Sequence, residues 1–190
     1  MSAVAETLRA LACVLDARGI GWFVFGAQAV SVRGAPRATQ DIDVTVHVAR
    51  SELAPLVDAL QAIGLTHRYP DIADQLLAEG AVIPLMHTSG MEVDMVLAGS
   101  GLETLALARA THVAIDGVLV PVAHATDLLV MKALAGRGKD LDDMRGLLAS
   151  GDVDVDEARE LLTQLEEALG ESDLVSRLDA ALSDIRPRRR

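Results

Sequence analysis

Hydrophobic and polar residues alternate with period two in several stretches of this chain, which is the pattern of strands with one buried face. DIDVTVHV, at residues 41–48, places its apolar side chains at every second position, and MEVDMVL, from Met91, repeats the alternation. AVIPLMHT, the turn SG and MEVDMVLAG together predict a β-hairpin. THVAIDGVLVPVA predicts a second hairpin that turns at Asp116 and Gly117.

Other stretches follow the helical period. The first 19 residues form an amphipathic pattern, GWFVF predicts a buried strand that leads into a short helix, and everything from Thr126 onward predicts helices. The order predicts an α+β fold, with a small mixed β-sheet flanked by helices over residues 1–123. A C-terminal helical bundle over residues 124–190 is expected to pack on this core as a single compact unit. Apolar stripes on its last two helices predict packing on the helical segment just before them.

Composition narrows the class of protein. Hydrophobic residues make up 51% of the 190, but the apolar runs are too short to span a bilayer. No membrane association is therefore expected, and the single cysteine, Cys13, is predicted to be a core thiol of a cytoplasmic protein. The net charge of −11 disfavours generic nucleic-acid binding. It does not disfavour a metal enzyme, because bound divalent ions offset carboxylates.

Two aspartates interrupt the apolar strand at 41–48. Asp41 and Asp43 project from one strand face, roughly 6.6 Å apart along the strand, and Asp94 has the matching parity in MEVDMVL. Chance, a solvent-exposed strand face and a metal site are three interpretations of this pattern. In the third, three carboxylates suit a hard cation such as Mg²⁺, or Mn²⁺ in its place.

The residues before these aspartates predict a phosphate-binding site. Gly26 ends the predicted strand and begins a helix, whose backbone N–H groups and positive dipole end form a seat for an anion. Arg37 and Thr39 lie just upstream of Asp41 and could reach the same anion. Two divalent ions beside such a seat can activate an attacking hydroxyl and stabilise the leaving oxygen of a phosphoryl or nucleotidyl transfer.

Taken together, strand, glycine, helix, PRATQDID, strand and EVD resemble the nucleotidyltransferase superfamily of DNA polymerase beta type, over residues 20 to 98. The resemblance implies a nucleotidyltransferase core in which Asp41 and Asp43 hold the metals and Asp94 is a metal ligand or a base for the acceptor. The family has a second Gly or a Ser where this sequence has Ala27. The backbone N–H groups of Gly26 and Ala27 survive that difference, but a serine hydroxyl for phosphate is absent.

A nearer resemblance is to the bacterial abortive-infection (AbiEii-like) and MenT-like nucleotidyltransferases, which pair a G…R.T.DID core with a helical K……KD..D segment. MKALAGRGKDLDDMRGLL is that segment here, and it holds both lysines of the chain. The resemblance implies that Lys132 or Lys139 contacts nucleotide phosphates, with Asp140 and Asp143 ordering the site. The two lysines share a face if one helix runs through, whereas Gly136 and Gly138 favour a break.

The resemblance therefore implies metal-dependent transfer of a nucleotide from an NTP to an acceptor hydroxyl, on an RNA or tRNA end or on a protein. It also implies that the chain is the toxin of a toxin–antitoxin pair, with a cognate antitoxin as partner. The alternative is an antitoxin-like or otherwise non-catalytic binding module of the same fold, whose partner is a toxin. A third interpretation is an α+β domain in which one face of the sheet is simply exposed to solvent.

Overall fold

A computed structural model of the chain describes residues 2–34, 39–80, 82–170 and 172–185. These residues divide into two compact units. The first comprises the described residues within 1–28 and 38–123, and the second those within 29–37 and 124–190. That the helical segment packs on the core as a single compact unit stays a prediction.

The first unit is built on a seven-stranded sheet in the order β3-β4-β5-β2-β1-β7-β6. Its strands are β1 (Gly21–Phe25), β2 (Asp41–His47), β3 (Leu65–His67), β4 (Val82–His87), β5 (Glu92–Leu97), β6 (Thr111–Ile115) and β7 (Val118–Val122). β2 pairs with β5 and β1 with β7 in parallel, and the other neighbours are antiparallel, so the sheet is mixed. Both predicted hairpins are confirmed. The second turns at Asp116 and Gly117, whose φ values of 49° and 78° are those of a type I′ turn.

Helices of the first unit pack on this sheet. They are α1 (Ala3–Ala17), the first residues of α2 (Gly26–Arg33), α3 (Leu53–Gln61), α4 (Ala73–Glu79) and α5 (Gly101–Arg109). α1 buries Leu8, Leu11 and Leu15 as its amphipathic pattern predicts. The prediction of a core thiol is wrong, because Cys13 lies on the exposed side of this helix. Within the described residues, no helix combines the length and apolar character needed to cross a bilayer.

The second unit is helical. Its main helices are α6 (Ala125–Ala135), α7 (Gly138–Ser150), α8 (Val155–Leu169) and α9 (Leu174–Ile185). α8 packs on α6, and α9 packs on both α6 and α7, so the apolar stripes do meet the segment just before them. Leu162 and Leu178 are fully buried there. The prediction of an α+β fold that ends in a helical bundle is confirmed.

Candidate active site

Strand register brings the predicted aspartates onto one face of the sheet. In the parallel pair of β2 and β5, Asp43 is the partner of Asp94 and Asp41 is the partner of Glu92. All four carboxylate residues are half-buried, while the apolar residues between them in each strand are buried. The two strands are neighbours, so their shared parity places Asp94 beside Asp43. The catalytic and metal-binding roles of the three aspartates stay predictions.

The turn between β1 and α2 lies against the Asp43 carboxylate. Phe25, at the end of β1, is the register partner of Asp43, and Gly26 follows with φ of 65°. A Cβ atom at position 26 would lie 1.7 Å from Oδ2 of Asp43. Both the left-handed backbone and this close approach require glycine. The glycine before the two aspartates thus has a steric reason as well as the predicted one, since it leaves room for the second carboxylate.

We expect Gly26→Ala to destabilise the protein and to displace the Asp43 side chain. The positive φ alone costs about 1–2 kcal/mol for a residue with a Cβ, and the collision with Asp43 adds to that cost. Urea denaturation measures the loss of unfolding free energy. Gly19→Ala is the matched control, because Gly19 has the same φ of 65° but a Cβ atom there would have no neighbour within 4 Å. Equal losses in the two variants would contradict the steric role of Asp43.

The other residues of this unit that are predicted to contact a nucleotide differ in which of their groups a ligand could reach. The Thr39 hydroxyl donates a hydrogen bond to the Asp41 carboxylate, so it orders that side chain. Ala27 is buried in the first turn of α2, which leaves its backbone as the group available to a ligand. Arg37 lies outside the described residues. Thr39 therefore supports the aspartate pair directly, and the contacts of Thr39 and Ala27 to a nucleotide stay predictions.

Arg68 is a site residue that the sequence reasoning missed. It follows β3 and forms ion pairs through Nη1 with Glu92 and through Nη2 with Asp94. Its side chain is only 16% exposed. The sequence does contain a signal for this contact. If the alternation of β3 continues by one residue, Arg68 lies on the same sheet face as Thr66, which is the face that carries Glu92. That parity becomes informative only once the order of the strands is known.

The carboxylates suit a divalent metal ion in chemistry and in register, but they are not assembled into a finished metal site. Oxygen ligands on one face of two neighbouring strands fit Mg²⁺ or Mn²⁺. Across the described ranges, however, no three His, Cys, Asp or Glu side chains form a group that could hold a metal ion. Asp94 is paired with Arg68, and Asp41 accepts a hydrogen bond from Thr39. Metal binding by this set therefore requires side-chain rearrangement at Asp94.

In the second unit, Lys132 is buried in a cluster with two of its predicted partners. Its side chain is 5% exposed, and its Nζ lies 2.7 Å from Oδ2 of Asp143 and 3.3 Å from Oδ1 of Asp140. Arg137 donates to Asp140 Oδ2 from its backbone N at 2.9 Å and from Nε at 2.7 Å. Burial alone would raise the pKa of Asp140, but the hydrogen bonds from Arg137 and the charge of Lys132 outweigh it and lower that pKa. The positive charge of Lys132 is thus matched inside the unit.

Lys139 has different surroundings. α6 ends at Gly136, which has φ of 62°, and α7 begins at Gly138, so the helix is broken between the two lysines. Lys139 is exposed in the first turn of α7. The structure therefore brings Lys132, but not Lys139, together with Asp140 and Asp143. Whether either lysine contacts a nucleotide stays a prediction.

A cavity of about 220 Å³ adjoins the lysine cluster within the second unit, and Lys132, Arg137 and Arg177 form part of its wall. Arg177 donates from Nη1 to the carbonyl of Ala133 at 2.7 Å, near the end of α6, and pairs with Asp173 at 2.6 Å. Each of these three basic residues has an acceptor within the unit. The arrangement favours a stabilising role for this cluster.

Solved structures with the same fold include nucleotidyltransferases. The antibiotic-resistance factor ANT(2″)-Ia, in solution, matches with a TM-score of 0.60 and 13% identity over 90% of this chain and 95% of that one. Its crystal structure in complex with adenylyl-2″-tobramycin gives 0.54 and 14% over 96% and 99%. An antigenic nucleotidyltransferase-like protein from Paracoccidioides brasiliensis gives 0.52 and 18% over 95% and 94%. At identities this low, the structural similarity shows a shared fold and nothing beyond it.

No curated protein matches the chain. A family model does match it, and the match extends over residues 2–186, nearly the whole sequence. The family is described as a nucleotidyltransferase of unknown function, DUF6036. Its extent includes the glycine turn, both carboxylate strands and the lysine cluster. The chain therefore belongs to the DUF6036 family of nucleotidyltransferases.

Proposed function

We propose that this protein is a metal-dependent nucleotidyltransferase that moves a nucleotide from an NTP to an acceptor hydroxyl. The observation that carries the proposal is the parallel pairing of β2 and β5, which sets Asp43 beside Asp94 while Gly26 lies against the Asp43 carboxylate. Membership of a nucleotidyltransferase family and the fold shared with ANT(2″)-Ia support it. The half-buried carboxylates on one sheet face are the chemical groups that such a reaction needs.

The reaction exchanges one bond to phosphorus for another. The acceptor oxygen forms a bond to the α-phosphorus, the bond from that phosphorus to the oxygen bridging to the β-phosphate breaks, and pyrophosphate leaves. The hydroxyl proton goes to a carboxylate base, for which Asp94 is the candidate. Asp41, Asp43 and Asp94 are the residues that would hold Mg²⁺ or Mn²⁺. A divalent ion supplies neutralisation of phosphate charge and activation of the attacking hydroxyl.

The finer identity of the enzyme rests on the resemblance to AbiEii-like and MenT-like proteins. Their G…R.T.DID and K……KD..D patterns favour the toxin of a toxin–antitoxin pair, with a tRNA end or a protein as acceptor and an antitoxin as partner. The net charge of −11 disfavours a long RNA footprint, though not contact with a single RNA end. The complex of ANT(2″)-Ia with adenylyl-2″-tobramycin adds tobramycin as a further candidate acceptor.

A non-catalytic binding module of the same fold is the second candidate function. Two observations favour it: Ala27 stands where the resembled family has a Gly or a Ser, and Arg68 pairs with the carboxylate of Asp94. In that case the protein binds an NTP and a toxin-like or other protein partner, but it transfers no nucleotide. The two candidates differ in a single measurable property, which is the transfer of label from an NTP.

The test is transfer from each of four α-³²P-labelled NTPs in the presence of Mg²⁺. Separate reactions contain total tRNA, a protein extract or tobramycin, and a parallel set contains EDTA. We expect one NTP to label one acceptor class, with release of pyrophosphate and with no transfer in EDTA. Calorimetric binding of an NTP without transfer to any of the three acceptor classes would favour the binding module. Neither binding nor transfer would contradict both candidates.

A further inference from the structure

Arg68 lies in a row of residues that crosses the sheet. Its backbone N–H donates to the carbonyl of Pro84 at 2.9 Å, which extends the antiparallel pairing of β3 and β4 by one residue. Pro84 is the register partner of Asp94, and Asp94 is the partner of Asp43. Residues opposite one another in neighbouring strands project to the same face. The Arg68 side chain therefore stands on the carboxylate face, two strands away from Asp94.

The residue between them lets the arginine reach across. Neighbouring strands are about 4.8 Å apart, so about 10 Å separates the backbones at Arg68 and Asp94. Pro84, in the intervening strand, is buried and carries a compact ring without a polar group. A long guanidinium side chain spans this distance and reaches both Asp94 and Glu92 in β5. Arginine suits this contact because its fork presents donors to two acceptors at once.

Only some of the N–H donors of the Arg68 guanidinium have hydrogen-bond acceptors in this contact. Nη1 and Nη2 each meet one carboxylate, while Nε is buried and has no hydrogen-bond acceptor among the described residues. A buried donor without an acceptor weakens the bound arrangement relative to one in which every N–H is used. A competing cation at Asp94, or a competing anion at Arg68, can therefore displace this contact.

We infer that Arg68 is a positioning residue that acts as an internal counter-cation of the metal site. It holds Asp94 in the metal-free protein and competes there with the divalent ion. The inference rests on the proposed function, because it takes Asp94 to be one of the metal-binding carboxylates. It explains why these carboxylates share a face without forming a finished metal site. Metal binding that involves Asp94 is thereby coupled to release of Arg68 from β5.

Competition of this kind has a predictable size. If Asp94 is free of Arg68 in one tenth of the molecules, the apparent metal affinity is about tenfold weaker than that of the open site. Removing the guanidinium should therefore strengthen metal binding by about tenfold. It should also lower the melting temperature of the metal-free protein, because four carboxylates then share one sheet face without that cation. A residue with a merely structural role would give the second effect alone.

The experiment measures Mn²⁺ affinity by electron paramagnetic resonance, without nucleotide, in Arg68→Gln, Arg68→Lys and the wild type. Arg68→Lys keeps the positive charge but cannot bridge Glu92 and Asp94 with a fork. Arg50→Gln is the matched control, since Arg50 is an exposed residue of the same unit, in the turn before α3. We expect about tenfold tighter Mn²⁺ binding in Arg68→Gln, a clear gain in Arg68→Lys and no change in Arg50→Gln.

Each other outcome overturns the inference. Mn²⁺ affinity in Arg68→Gln equal to or weaker than wild type means that the guanidinium does not compete. A gain in Arg68→Gln with none in Arg68→Lys means that any positive charge at this position suffices, so that the fork does not position Asp94. If Arg68→Gln does not fold, Arg68→Lys decides alone. The NTP transfer assay on wild-type protein is read separately, so the proposed nucleotidyltransferase stands or falls independently of Arg68.

Discussion

Asp43→Asn is expected to reduce Mg²⁺-dependent nucleotide transfer by at least about a hundredfold. Loss of a group that only hydrogen-bonds to a metal ligand costs up to about a hundredfold, and Asp43 is proposed to bind the metal itself. Asp43 is the central residue of the candidate site. It is flanked by Asp94 on one side and Phe25 on the other, and Gly26 leaves the space that its carboxylate occupies. Asparagine preserves the shape of the side chain and removes the charge. The change therefore tests the chemistry of the site rather than its packing.

The folded state should tolerate this substitution. Asp43 shares a sheet face with Asp41, Asp94 and Glu92, and removal of one like charge relieves repulsion among them. We expect the melting temperature of Asp43→Asn to hold or rise. Asp58→Asn is the control, because it makes the same chemical change at an exposed position of α3. Undiminished transfer by Asp43→Asn would end the assignment of Asp43 to the metal site.

The strands that carry the site could be predicted because local pattern and pairing agree there. Alternation set the faces of β2 and β5, and shared parity suggested that Asp94 would join the aspartate pair. The glycine at position 26 was recognised, but its steric relation to Asp43 was not. That relation depends on the antiparallel register of β1 and β2, which places Phe25 opposite Asp43. Register is a tertiary property, and no single stretch of sequence contains it.

The contacts that modify the site were less predictable, because they join charged residues far apart in the chain. Arg68 reaches Asp94 across 26 positions and over an intervening strand. The burial of Lys132 beside Asp140 and Asp143, which follow a helix break, could not be predicted, and its contact with phosphates stays a prediction. A charge in a helical segment suggests a solvated face, and only the packing of α6 against α7 removes it from water. Burial of a polar residue is decided by its partners, which sequence periodicity does not identify.

Lys132→Met is expected to lower the unfolding free energy by about 3–5 kcal/mol, the usual cost of breaking a buried ion pair by removing one partner. Methionine keeps most of the side-chain volume, so the loss reports on charge. Asp140 is fully buried and Asp143 nearly so, and both would lose the ammonium group that lies within 3.3 Å of them. Arg137 still pairs with Asp140, which keeps the loss from being larger. Denaturation in urea at pH 7 measures it.

Acid should narrow the difference between this variant and the wild type. The pKa of Asp140 is lowered in the folded protein, because the hydrogen bonds from Arg137 and the charge of Lys132 outweigh the effect of burial. An acid with a lowered pKa contributes stability above its unfolded pKa, about 3.9 for Asp, and that stability is lost as the pH falls through the folded pKa. Without Lys132 this contribution is smaller at pH 7. Less stability is therefore left to lose as the pH falls below about 4.

Lys139→Met separates the phosphate contact that the resemblance implies for this segment from the stabilising role that the buried ion pairs of Lys132 indicate. Lys139 is exposed, so its replacement should change the unfolding free energy by less than about 0.5 kcal/mol. If its ammonium contacts nucleotide phosphates, NTP binding should weaken by about 1.5–3 kcal/mol, the value of a hydrogen bond to a charged group. Lys132→Met should show the opposite pattern, with a large loss of stability and a smaller change in NTP affinity at a temperature where it remains folded. Calorimetry with the preferred NTP measures the change in NTP affinity of both variants.

A stable Lys132→Met variant with impaired NTP binding would instead show that Lys132 leaves its aspartates to bind phosphate, and the stabilising role of the buried cluster would then be wrong.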